Sequence, residues 1–406
     1  MVVKITVFTP FFSLDGAASL RIRSFVDCLK NRSFNVKVVE YNPQLHDKKE
    51  MHKKYIRYCR VLPKLLYKIQ IPNPLVAVDW FVIAIKELNI DRPDIVLVTT
   101  PPFGCPIGVF FAILVSNLKA KIIVDYRDDW TSILNKINVA PLKLINFILS
   151  KILHYVCAKS EVVLAVNETL KKIIFSRTGK DNIVVIKNGA DLNKIEKFNM
   201  VNKYEILGKY NIANNKNNAL WGIYAPASLD TVYYNPEFVV TLIKKAVDCG
   251  IDIKVIILGD GKRRNKIDEL RKTLNLEDRI ILLGRVKHED VLKLISVCDF
   301  AIYELSKLGQ EHGIGQKIYE YICVGLPIFV VADANSKILK LVKDLKIGRG
   351  VTWDTKNIEH EFVKFLEDLK KISKKLKYRE KYLKEKFGRD KQVLKFLQIV
   401  NALVQE

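Results

Sequence analysis

The feature that most constrains this chain is an alternation that runs along most of its length. Short runs of β-branched residues are each followed by a stretch whose apolar side chains recur at helical spacing. Lys4–Thr9 is one such run. A loop follows from Pro10 to Ala18, and Leu20, Ile22, Phe25, Val26 and Leu29 then line one helix face. Further strands are read at Val36–Glu40, Ile95–Thr99, Lys121–Asp125, Glu161–Val166 and Ile183–Ile186. Strands this rich in Val and Ile are covered on both faces. Neighbours joined by helices run parallel, because a parallel pair needs a crossover of about a dozen residues or more.

The segment Asn199 to Asn218 is rich in Asn and Lys and breaks the pattern, which then restarts. Strands are read at Leu220–Tyr224, Ile253–Leu258, Ile280–Leu283, Phe300–Tyr303 and Pro327–Val331. Helices are read at Glu237–Cys249, Lys266–Leu274, Glu289–Val297 and Gln316–Cys323. A chain of 406 residues, 49% of them hydrophobic, is too long for one ordinary core and apolar enough to fill two. The expected organisation is a first α/β domain over residues 1–198, a connection over 199–218 and a second α/β domain over 219–385. A final helix over 386–406 is expected to pack back toward the first domain. Ligands of open parallel sheets bind beyond the carboxyl ends of the strands. Two such domains facing each other would place a cleft between those loops.

Charge and cysteine content narrow the classes. Lys+Arg is 67 against Asp+Glu at 44, a formal net charge of +23, so polyanions and phosphorylated ligands are natural partners. No helix-turn-helix, RNP-like or zinc-finger pattern accompanies that charge, and nucleic acid is not expected as a partner. The 7 cysteines are widely spaced with no CxxC pair, which suggests neither a zinc site nor a disulfide framework and fits a reducing cytoplasm. Met1 leads directly into a strand-like stretch with no signal-peptide pattern. The longest apolar run, Phe103 to Leu118, is interrupted by Gly104, Pro106 and Gly108. At roughly 16 residues it falls short of the ~20 needed to span a bilayer, and it is read as a buried helix on a sheet.

Four stretches stand out, three placed to carry chemistry and one, the Asn188 turn, mainly architectural. Gly259-Asp260-Gly261 follows one strand, with Leu282-Leu283-Gly284-Arg285-Val286 and His288-Glu289-Asp290-Val291 downstream. Gly313-Ile314-Gly315-Gln316-Lys317-Ile318-Tyr319-Glu320-Tyr321 leads into a helix and is followed by Gly325-Leu326-Pro327. Asp125-Tyr126-Arg127-Asp128-Asp129-Trp130 ends a strand of the first half, and Asn188-Gly189-Ala190-Asp191 forms a turn near its close. Together these resemble the GT-B glycosyltransferases, specifically the large retaining family 4, over almost the whole chain and most strongly from Gly259 to Pro327.

The resemblance implies two Rossmann-like domains facing across a cleft, and a retaining transferase that needs neither metal nor redox cofactor. Its donor would be a nucleotide sugar on the second domain. Its acceptor would be a glycan or lipid-linked molecule bound by the first domain, in cell-surface polysaccharide or glycoconjugate synthesis. Glu320 would accept the ribose hydroxyls, as a carboxylate suits a vicinal diol; the plainer reading makes it an ordinary solvated helix residue. Gly313, Gly315 and Lys317 would approach the donor phosphates at a helix N-terminus, whose free N–H groups favour anions. Gly259, Gly261 and Arg285 would line the same donor site, and Gly16 would allow close approach from the first loop. Arg127 and Asp128 would contact the reacting groups, with Asp128 able to orient or deprotonate an acceptor hydroxyl; the alternative is an Asp–Arg pair that only shapes the loop.

Two departures from the family stand out. The position eight residues before Glu320 is His312, where the family usually has a second glutamate. Glu311 is adjacent, and either could contact the donor sugar. The stretch Ala225 to Val232 lacks the basic pair that usually neutralises the diphosphate: either Arg264, Arg285, Lys317 or another basic residue supplies that charge, or the donor is unusual, or activity is weak or absent. Two other functions share the fold: a nucleotide-sugar epimerase, and a non-catalytic nucleotide-sugar-binding protein. Residues 48–68 interleave lysines and arginines with apolar side chains, which is the pattern of a peripheral contact with an anionic membrane. The expected location is the cytoplasm, at the inner face of the membrane where that contact is made.

Overall fold

The structure is a computed structural model. It describes residues 2–13, 17–41, 75–129, 131, 140–198, 202–210, 212, 219–226, 228–230, 233–306 and 314–405. The chain divides into two compact units, residues 1–188 with 392–406 and residues 189–391. The sequence reading divides it at 198, 219 and 386 instead.

In the first unit the strands are β1 (Lys4–Thr9), β2 (Asn35–Glu40), β3 (Ile95–Thr100), β4 (Lys121–Tyr126), β5 (Val162–Ala165) and β6 (Ile183–Val185). Its helices are α1 (Ala17–Lys30), α2 (Leu75–Asp91), α3 (Gly104–Val115), α4 (Ala140–Lys159) and α5 (Glu168–Thr178). The six strands lie in the order β2-β1-β3-β4-β5-β6, and every pair is parallel. Successive strand residues face opposite layers, as a pleated strand requires. Val96 and Val98 pack with the inner faces of α2 to α5, while Ile95 and Leu97 pack with α1. Val393, Phe396, Leu397, Val400 and Leu403 join that second layer and return the end of the chain to this unit.

The second unit contains α6 (Leu192–Phe198), α7 (Lys203–Lys209), β7 (Leu220–Tyr224), α8 (Pro236–Asp248), β8 (Ile253–Leu258), α9 (Arg263–Thr273) and β9 (Ile280–Gly284). There follow α10 (His288–Ser296), β10 (Phe300–Glu304), α11 (Gln316–Val324), β11 (Ile328–Ala332), α12 (Lys337–Leu345), β12 (Gly348–Thr352), α13 (Ile358–Glu367) and α14 (Leu369–Phe387), and α15 (Arg389–Gln405) then carries the chain back into the first unit. The sheet order is β12-β11-β10-β7-β8-β9. This is the doubly wound Rossmann order, whose winding reverses between β7 and β10. Ile223, Tyr303 and Val330 face a layer that includes α10, α11 and α12, and Ile302, Phe329 and Val331 face α8 and α13.

The stretch expected to connect the domains behaves differently. Asn202 caps α7 by accepting from the Tyr204 N–H at 2.9 Å. Ile206, Leu207 and Ile212 are then buried in the core of the second unit. A high Asn and Lys content hid a short helix whose aliphatic residues Ile206 and Leu207 point inward.

Candidate functional site

The loops that follow β7, β8, β9 and β10 leave the carboxyl edge of one parallel sheet, so the second unit gathers most of the sequence-predicted residues there. The backbone turns at Gly259 and Gly261, whose φ angles are +109° and +154°. Gly261 has no room for a side chain, because a Cβ there would lie 2.5 Å from the Asp230 carboxylate. That carboxylate accepts the Lys262 N–H and so ties the loop after β7 to the loop after β8. Arg264 donates to the Leu282 carbonyl at 3.0 Å, beside Gly284, and Arg285 is exposed.

Gly315 is the N-cap of α11, in extended conformation and with no side-chain cap. Glu320 sits on this helix. It is 1% exposed, which overturns the reading of a solvated helix residue. Its Oε2 accepts from Lys317 Nζ at 2.9 Å, and its Oε1 lies 2.8 Å from His288 Nε2 and 3.3 Å from Gln316 Nε2. Burial by itself raises the pKa of a carboxyl. Here the Lys317 charge and the His288 hydrogen bond outweigh burial and pull Glu320 down to about 2. The result is a buried, ionised carboxylate within the first two turns of a helix, with a lysine one turn before it. Such a group can accept further hydrogen bonds from a diol, and the helix N-terminus beside it favours an anion.

Glu304, at the end of β10, is the opposite case. It is fully buried, accepts from Tyr224 Oη at 2.7 Å and from the Asn235 N–H, and leaves Oε2 with no partner among the described residues. Burial dominates and raises its pKa to about 7. The sequence reading missed Glu304, although it had a signal, an acid ending an otherwise apolar strand at the reversal point. His288 stands in a quoted stretch but was given no role, because its partner lies 32 residues away.

In the first unit, β3 and β4 run in register from Ile95 opposite Lys121 to Thr100 opposite Tyr126. Arg127 therefore emerges beside the end of β3 and donates to the carbonyls of Thr100 and Pro101 at 3.4 and 3.1 Å. It is 6% exposed and lies over the Phe11 ring. Asp125 is buried in a pair with Arg21, which also donates to the Ile186 carbonyl at 2.7 Å. Asp129 pairs with Arg177 at 2.6 Å. Two of the three acids in this stretch thus hold arginines, and Asp128 is the half-buried one between them. Glu40 organises the loop after β1, accepting the Phe12 and Ser13 N–H groups at 2.8 Å each. Gly16, Glu311, His312 and Gly313 lie outside the described residues, as do residues 48–68. Among the described residues no cluster of three or more His, Cys, Asp or Glu side chains is arranged to hold a metal ion.

No curated protein matches the chain. Among solved structures, a glycosyltransferase from Rickettsia africae superposes with a TM-score of 0.66 at 14% identity, over 100% of this chain and 99% of that one. WaaG, a glycosyltransferase involved in lipopolysaccharide biosynthesis, gives 0.63 at 12% identity, over 93% and 95%. A putative UDP-N-acetylglucosamine 2-epimerase from Listeria monocytogenes gives 0.60 at 12% identity, over 99% and 96%. These likenesses place the chain in the GT-B fold class of paired Rossmann-like domains. Within it, residues 227–386 match the family model of the glycosyl transferases group 1, so the second unit carries a glycosyltransferase group 1 domain.

Proposed function

We propose that this protein is a retaining, metal-independent glycosyltransferase of family 4. It moves a sugar from a nucleotide-sugar donor to a glycan or lipid-linked acceptor in the synthesis of cell-surface polysaccharide or glycoconjugate. The observation that carries the reading is the buried, ionised Glu320 carboxylate on α11, with Lys317 one turn before it. On this reading Glu320 accepts the ribose hydroxyls, and the α11 N-terminus with Lys317 meets the diphosphate. Gly259, Gly261, Gly315 and the exposed Arg285 border the donor. Arg264 and Arg285 supply positive charge that the stretch 225–232 lacks. A fixed positive environment stabilises the departing diphosphate, and removing one such group typically costs about 10²–10³ in turnover. Arg127 and Asp128 serve the acceptor side, with Asp128 the group able to orient a hydroxyl.

The epimerase reading has its own support in the Listeria structure, which shares the fold. The two predict different products. A transferase releases a nucleoside diphosphate only when an acceptor is present, whereas an epimerase returns an isomerised sugar nucleotide with none. Incubation of the full chain with nucleotide sugars, with and without a membrane extract as acceptor, separates them. Glu320→Gln and Glu320→Ala are expected to abolish turnover while the fold survives. Turnover like the wild type by a folded Glu320→Ala would refute the assignment of that residue.

A further inference from the structure

The helices α2, α3 and α4 lie side by side on one face of the first sheet, and their inner faces share one core. The backbones of α2 and α3 approach closely, since a Cβ at Gly108 would lie 2.3 Å from the Ala77 carbonyl. Next to α3, the Phe110 ring meets the Tyr155 ring of α4 edge-on, with centroids 6.0 Å apart. The outward face of this layer is unusual for a surface. Leu144, Phe147, Ile148 and Tyr155 of α4 are 61%, 56%, 48% and 52% exposed, and Phe111, Leu114 and Val115 of α3 are 41%, 57% and 67% exposed. Val78 and Val82 of α2 continue the same face. Single exposed apolar residues are normal, but a continuous patch marks a contact surface.

The charges on this face identify the contact. Neither α3 nor α4 contains an Asp or Glu. Of the three acids of α2, Asp79 and Glu87 are buried, paired with Tyr41 and Lys37, and the half-buried Asp91 at the helix end accepts from Thr6 Oγ1. The exposed charges of α4 are Lys143, Lys151 and Lys159, and the ammonium groups of Lys151 and Lys159 lie over the rings of Phe147 and Tyr155, at 5.5 and 5.8 Å from the centroids. A second copy of the chain, docked isologously, would bring Lys151 and Lys159 against their own kind, with no exposed acid on α3 or α4 among the described residues to meet them. Lipid phosphates meet them, while the apolar side chains enter the acyl boundary and the lysine stems reach back to the headgroups.

We propose that the outer face of α2, α3 and α4 is a peripheral docking surface for an anionic lipid bilayer. Among the described residues no helix is long and apolar enough to cross a membrane, so the contact is with the bilayer's surface. The surface is defined by α2, α3 and α4 alone and does not rest on any donor chemistry.

Flotation of the full chain with vesicles tests it, using phosphatidylglycerol mixed into phosphatidylcholine against phosphatidylcholine alone. The wild type is expected to float with the anionic vesicles and to release in high salt. Leu144→Ser with Phe147→Ser should weaken partitioning about tenfold or more, since each apolar insertion and each basic contact contributes separately. Lys151→Glu with Lys159→Glu should remove the preference for phosphatidylglycerol. Unchanged melting of each variant shows that the fold is intact. Lys54→Glu with Arg57→Glu should leave a wild-type response to the α4 substitutions. The proposal is overturned if the wild type does not float, or if the serine variant floats like the wild type. It is equally overturned if sedimentation without lipid shows a dimer that Phe147→Ser converts to a monomer.

Discussion

Replacing Glu320 by Gln keeps the side chain's shape and removes its charge, which makes it the most informative single change in the second unit. In the folded protein the Glu320 carboxyl titrates near pH 2 rather than 4.5. That difference of about 2.5 units favours the ionised folded form by about 3 kcal/mol. Gln would leave the Lys317 ammonium and His288 without their anion. Both are partly exposed, at 23% and 16%, so water recovers part of the loss. The expected destabilisation at pH 7 is therefore about 1–3 kcal/mol. The pH dependence has a definite sign. A group whose pKa is depressed by folding contributes its full stability above the unfolded value of about 4.5, and loses it as pH falls toward 2. The gap between wild type and Glu320→Gln should be widest at neutral pH and narrow below about pH 4.5. Urea unfolding followed by tryptophan emission reads this, because Trp221 is buried in the core of the second unit. Equal stability at pH 7, or a gap that widens in acid, would refute the reasoning.

Other consequences follow from single residues. Glu304 is raised by burial to about 7, so its contribution is complete below about pH 4.5 and is lost as pH rises through 7. Glu304→Gln, which resembles the protonated acid, should match the wild type in thermal melts at pH 5 and exceed it at pH 8 by about 1–3 kcal/mol. Gly261→Ala must place a Cβ against the Asp230 carboxylate at a φ of +154°, and urea titration should show a loss of about 1–3 kcal/mol. Arg21→Met leaves the buried Asp125 carboxylate without its hydrogen-bonded partner, and should cost about 3–5 kcal/mol. Adding Asp125→Asn should cost much less than the sum of the two single changes, which a double-mutant cycle checks.

Much of the architecture is legible in the sequence because its cause is local. Lys4–Thr9, Leu220–Tyr224 and Ile253–Leu258 are strands at the boundaries their β-branched runs mark. Parallel pairing follows from the helices between them. The edge strand β12 was not legible. Gly348-Arg349-Gly350 interrupts any apolar pattern, and the strand exists because β11 offers it a hydrogen-bonding partner. The Phe103–Leu118 run was half legible. Its inner face is core, as expected, but whether Phe111 and Leu114 face solvent depends on which helices stand beside α3. In the candidate site, the position of Glu320 on its helix is visible from the motif, while its burial and ionisation are not. The ionisation arises because Lys317 on the same helix and then His288, carried by α10 to within 2.8 Å, hold the carboxylate against the effect of burial. The Asp125–Trp130 stretch shows the converse. Its composition suggests chemistry at every acid, but the fold commits Asp125 and Asp129 to arginines from distant helices.

The central claim is that the second unit holds a nucleotide sugar through α11 and Glu320. Its most direct test is the melting temperature of the full chain against a panel of nucleotide sugars and nucleoside diphosphates. A ligand at 100 times its dissociation constant stabilises the folded state by about 2.7 kcal/mol, which appears as a rise in melting temperature that saturates with concentration. At least one member of the panel should produce that rise in the wild type and fail to produce it in Glu320→Ala. No rise with any member, or the same rise in both proteins, would contradict the account.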